Sequence, residues 1–91
     1  MIKLKLSIII PVYNEINCLE KFTKDLTDSF QNEEVEFIFI NDGSSDGSSE
    51  WLKKYNKENK IVLIELEKNY GKGYAIRKGL EVAKGDYILF Q

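Results

Sequence analysis

Residues 4–12, "LKLSIIIPV", end in a nearly continuous β-branched apolar run. Such a run marks a strand buried on both faces, because a sheet with one wet face alternates apolar and polar residues. A strand from Leu4 to Val12 covered on both sides needs helices above and below it, and this narrows the chain to a layered α/β arrangement. The rest of the sequence supplies the layers. Ile16, Leu19, Phe22, Leu26 and Phe30 recur at intervals of three and four, one stripe of an amphipathic helix with Asn14 as its expected N-cap. After "NEE", a second strand is expected over Val35–Ile40. A short helix carrying Trp51, Leu52 and Tyr55 follows and is expected to fray into "NKENK". A third strand covers Ile61–Leu66. A third helix packs through Ala75, Ile76, Leu80 and Ala83 and stops at Gly85, and residues 87–90 form a fourth strand.

The order is β-α-β-α-β-α-β, which predicts an open, mainly parallel sheet with right-handed crossovers and helices on both faces. Ligands of such sheets gather at the carboxyl ends of the strands, near the point where strand order reverses. Three turn-rich polar stretches stand there: "PVYNE", "NDGSSDG" and "EKNYGKG". They are expected to face one crevice.

Composition removes several kinds of function. With 91 residues the chain is at most one small domain, and 43% apolar against 31% charged residues fits a packed soluble core. Thirteen Lys/Arg against fifteen Asp/Glu leave a net charge of −2, which gives no broad field for nucleic acid. Histidine is absent and Cys18 is the single cysteine, which excludes a Cys-rich zinc site and the usual general base. Lys5 and Pro11 keep the first apolar run too short for a signal peptide, and no run approaches the length of a membrane span. A cytoplasmic location is therefore expected.

Familiar nucleotide and metal loops do not fit. The turn after the first strand has no glycine, so the dinucleotide fingerprint G-x-G-x-x-G is missing, and "GKG" lacks the remainder of a P-loop. Asp42, Ser44, Asp46 and Gly47 match the opening of a calcium loop, but its twelfth position is Lys53 instead of glutamate, and a strand precedes it. Asp46 is better explained as a cap for the helix that follows. Asp42, an acid directly after a buried parallel strand, is the stronger candidate for binding.

Taken together, "SIIIPVYNE", "FINDGSSDGS" and "NYGKGYAIRKGLEVAKGDYILFQ" resemble the motifs of family 2 glycosyltransferases, inverting nucleotide-sugar enzymes of the GT-A fold. The polyprenyl-phosphate sugar transferase branch is the most similar, and the resemblance spans essentially the whole chain. It implies the Rossmann-like nucleotide-binding half of a GT-A domain over residues 1–91, taking a UDP- or GDP-linked sugar. Pro11, Tyr13, Asn14 and Glu15 would line the base and ribose pocket, and Asp42 would contact the base through a charge-assisted hydrogen bond. Gly71 and Gly73 would let backbone approach the diphosphate, with Lys72, and Arg77 as a second candidate, supplying positive charge.

In that family an Asp-x-Asp motif holding Mg or Mn, the acceptor site and the catalytic base come after the position of Gln91. The resemblance thus implies no catalytic or metal-ligating residue within the chain, an incomplete domain with no activity alone, and self-association through surface left uncovered. It also implies a parent that meets the cytoplasmic face of a membrane through its acceptor. A flavodoxin-like binding or signalling module is the alternative, but it would want an acidic pair after the first strand, where only Glu15 stands.

Overall fold

The computed structural model describes residues 5–31 and 34–90. Seven elements follow one another: β1 (Leu6–Val12), α1 (Ile16–Ser29), β2 (Val35–Asp42), α2 (Ser48–Asn59), β3 (Val62–Leu66), α3 (Lys72–Val82) and β4 (Tyr87–Phe90). Leu4, the expected first residue of the opening strand, and Asn32 and Glu33 of the expected break lie outside the described residues. All pairings are parallel and the strand order is β3-β2-β1-β4. The order reverses beside β1, as the sequence predicts for a doubly wound sheet.

Alternation along the central strands sorts the core into two layers. Ile8, Ile10 and Val12 of β1 and Phe39 of β2 meet Leu19 and Leu26 of α1 and Leu52 of α2. Ile9, Ile38 and Ile40 point the other way and meet Ala75 of α3. Gly79 lets α3 lie close to the sheet, since a Cβ there would stand 2.7 Å from Ile9 Cγ2. β4 is an edge strand whose four residues, Tyr87 to Phe90, are all exposed. Among the described residues no helix is long and apolar enough to cross a membrane.

Four local expectations need correction. Asn14 does not cap α1: its φ of 50° puts it in the left-handed region, and the capping position falls on Glu15, which makes no side-chain cap. The polar "NKENK" does not fray α2, which runs to Asn59 and ends where Lys60 turns left-handed and Asn56 Oδ1 accepts the Ile61 N–H. α3 stops at Val82, before Gly85, with the Ala83 N–H donating to the Gly79 carbonyl. Leu80 is 41% exposed and is not a core residue; buried Gly79 holds the sheet-facing position beside it. In each case backbone geometry, and not the character of a single residue, decides the outcome.

Candidate functional site

The three loops past the ends of β1, β2 and β3 meet, and they are tied together by side chains of the first and second. Gly43, at φ 71°, lies against the third loop so closely that a Cβ would collide with the backbone of Lys68 and Asn69. Asn14 donates its N–H to Ser44 Oγ at 2.9 Å and accepts the Ser45 N–H at 2.8 Å, joining the first loop to the second.

Asp46 does not hold the capping position of α2, which falls on left-handed Gly47 with no side-chain cap; it stands one residue before it and serves two helices. Its Oδ1 accepts the N–H and hydroxyl of Ser48 at the start of α2, while Oδ2 accepts the Ile16 N–H at the start of α1. Buried Ser48 in turn accepts the Glu15 N–H at 3.1 Å. One carboxylate therefore satisfies backbone donors at the starts of two helices, one of them 30 residues before it, the groups that a helix start leaves without partners. The Ser48 hydroxyl, working against partial desolvation and assisted by the two N–H groups, holds the Asp46 carboxyl below its ordinary value.

Asp42 is buried, and both its oxygens accept backbone donors of the third loop, Tyr70 N–H at 2.8 Å and Gly71 N–H at 2.9 Å. A carboxylate has about four lone-pair sites, so each oxygen keeps one for another donor. Gly71, at φ 101°, makes the turn that aims these amides inward, and it opens α3. Alanine or any larger L-residue would be strained there.

Around this latch lies a crevice of about 390 Å³ lined by Pro11, Val12, Tyr13, Glu15, Asp42, Asn69, Gly71 and Lys72. Six of the eight residues singled out in the sequence thus share one cavity. The other two do not line it: Asn14 is occupied in joining loops, and Gly73 lies in the first turn of α3, where a Cβ would meet nothing within 4 Å. Arg77 lies outside the lining and stands over the Tyr74 ring at 6.0 Å. Val12 and Asn69 were not singled out, although Asn69 stands in the third loop directly before Tyr70, where a side chain aimed at the cavity is expected once the loop is known to fold inward. A larger groove of about 510 Å³ between α1 and α2 is lined by Thr23, Trp51 and Tyr55 among others, but no strand ends or glycine turn converge on it.

Among the described residues no group of three or more Asp, Glu, Cys or His side chains comes together as a metal site. The crevice carboxylates are Glu15 and Asp42, and Asp42 is already committed to two amides. This donor set does not by itself make a divalent-cation site.

The family model for glycosyl transferase family 2 matches residues 7–91. The chain belongs to that family. A flavodoxin-like module sharing only the layout is thereby set aside. Relatives agree: the chain is 36% identical over 89 residues to an undecaprenyl-phosphate 4-deoxy-4-formamido-L-arabinose transferase of Proteus mirabilis, covering 93% of this chain and 27% of the relative. Among solved structures, S. aureus TarS 1–349 in complex with UDP-GlcNAc superposes with a TM-score of 0.82 at 28% identity, over 96% of this chain and 26% of that one. A Pyrobaculum calidifontis mannosyltransferase in complex with GDP-Man and Mn2+ shares the fold, with a TM-score of 0.84 at 20% identity, over 97% and 27% of the two chains. The chain thus spans about a quarter of the length of each of these proteins, and its sheet is the open, parallel, Rossmann-like arrangement expected of a GT-A fold.

Proposed function

We propose that residues 5–90 form the nucleotide-sugar-binding half of an inverting glycosyltransferase, with the base and ribose held by Pro11, Tyr13, Glu15 and Asp42 and the diphosphate met by Gly71, Lys72 and Gly73. The observation that carries this reading is the crevice at the carboxyl ends of β1 to β3, which gathers an aromatic ring, two carboxylates, a glycine turn and a lysine. Each has a chemical use. The free lone pairs of Asp42 suit a base N–H, and Glu15, with no side-chain hydrogen bond among the described residues, suits ribose hydroxyls. Asn14 acts one step back, by fixing the loop that carries Tyr13 and Glu15.

In the reaction, an acceptor oxygen attacks the anomeric carbon as its bond to the nucleotide diphosphate breaks. The name of the Proteus relative supports a polyprenyl phosphate as acceptor; the cytoplasmic face of a membrane is part of the proposal. Lys72 would offset charge building on the departing diphosphate, and a divalent Mg or Mn ion in the parent would supply the rest of that neutralisation. With Glu15 and Asp42 assigned to ribose and base, no crevice carboxylate is left to take part in the transfer, and the 91-residue chain is proposed to bind without turning over.

Titration with UDP, GDP and their sugars, followed by NMR, tests the reading. One nucleotide series should shift the amides of Tyr13, Glu15, Gly71 and Lys72, and Asp42→Ala should weaken binding by roughly tenfold or more. A folded sample in which no nucleotide moves these resonances overturns the assignment.

A further inference from the structure

The net charge of −2 conceals a segregated patch. Four of the thirteen Lys/Arg fall within residues 68–80, "KNYGKGYAIRKGL", which contain none of the fifteen Asp/Glu. The fold turns this segment into a surface. Ala75 and Gly79 press against the sheet, leaving the other side of α3 outward. On that side Tyr70 and Tyr74 stack at 4.4 Å between centroids and 19° between planes. Lys68 Nζ stands 5.2 Å from the Tyr70 ring centre, and Lys78 Nζ and Arg77 Cζ stand 5.4 and 6.0 Å from that of Tyr74. Leu80, on the other flank of the helix, and Val82, at the end of the Ala75–Gly79 row, are exposed as well. Two acids accompany the patch: Glu67 accepts the Tyr70 hydroxyl, and Glu81, one turn on from Arg77 on the same side of α3, lies 3.6 Å from Lys78.

We infer that this outer face of α3 rests on a bilayer surface rich in anionic headgroups. Tyrosines, lysine and arginine beside exposed aliphatic side chains are what a headgroup layer accommodates, with rings at the interface and cations on lipid phosphates. Nucleic acid fits less well. The faces of both rings are taken up by each other and by the cations, which leaves little for a base to stack on. Lys72 links this surface to the crevice, since it both opens α3 and lines the cavity. A chain lying on α3 would hold the crevice mouth at the level of lipid phosphates. That the contact serves sugar transfer rests on the lipid-phosphate acceptor proposed above; the contact itself rests on the patch.

Co-sedimentation of the 91-residue chain with vesicles tests the surface. Binding is expected on mixed phosphatidylcholine–phosphatidylglycerol vesicles, falling with added salt, and not on phosphatidylcholine alone. The triple variant K68E/R77E/K78E should lower partitioning by roughly 100-fold or more, at about fivefold for each cation removed and a further loss from the charges added. A readout needing no variant is paramagnetic broadening by a headgroup-spin-labelled lipid, expected at the Tyr70, Tyr74 and Arg77 amides and not across α2. Equal binding to neutral vesicles, no binding at all, broadening centred on α2 or β4, or tighter retention by heparin or single-stranded RNA overturns the inference. Nucleotide titration of the same sample separates the two readings: crevice shifts without vesicle binding sink the surface and leave the crevice standing, and the reverse outcome sinks the crevice.

Discussion

Gly43 stands in the second loop and Gly71 and Gly73 at the start of α3, yet the space beside them differs. At Gly43 a Cβ would run into the third loop, coming 2.7 Å from Lys68 Cα and closer still to its neighbours, whereas at Gly71 or Gly73 it would meet nothing within 4 Å. The first glycine is required by packing already present. The other two leave a volume that protein atoms do not fill. A glycine in a loop therefore carries two separate messages, and only its surroundings tell which one applies.

Substitutions can break this contrast in order of expected effect. Gly43→Ala combines a left-handed φ with a collision against backbone, which cannot swing aside as a side-chain tip can. It should cost about 3 kcal/mol or more in urea unfolding. A loss below about 1 kcal/mol would mean that the two loops separate easily. Gly73→Ala should instead leave stability unchanged or raise it by up to about 1 kcal/mol, through helix propensity, while weakening nucleotide-diphosphate binding several-fold in calorimetry. Unchanged affinity would make the open space beside Gly73 irrelevant to the ligand.

The smallest effect concerns acid. Asp46 is held below its ordinary 3.8 by the Ser48 hydroxyl and backbone N–H groups. At Glu36 burial pushes the carboxyl upward, but donors from Ser7 and Lys84 together with the nearby Lys5 charge outweigh it and leave the value below 4.5. Both folded values are depressed, so the stability they contribute is complete above those ordinary values and is lost as pH falls through the folded ones. The double variant Asp46→Asn/Glu36→Gln should show a shallower loss of urea midpoint below about pH 4.5 than the native chain. An identical slope would assign acid sensitivity to other groups.

Much of the fold was readable because period and order carry it. The run "SIIIPV" could only be a doubly covered strand, and the alternation of elements left few sheets to choose from. The crevice was readable as a meeting of three loops for the same reason. What escaped was every bond between residues distant in the chain. Asp46 looked like a local cap because its second oxygen reaches Ile16, 30 positions earlier. Asp42 looked like a residue with free oxygens because nothing in "FINDG" announces that Tyr70 and Gly71 will turn their amides toward it. Leu80 looked buried by periodicity, although the close approach of Gly79 rotates the helix face away from it.

The cross-links among Asn14, Asp42, Asp46 and Ser48 also have an entropic side. Ordering a free loop costs roughly 1–2 kcal/mol for each backbone residue fixed, and a site that orders on contact subtracts that sum from its affinity. Here the latch on Tyr70 and Gly71 and the clasp between the first two loops are made before anything enters. The ordering is charged to folding, and a guest in the crevice finds its walls already set.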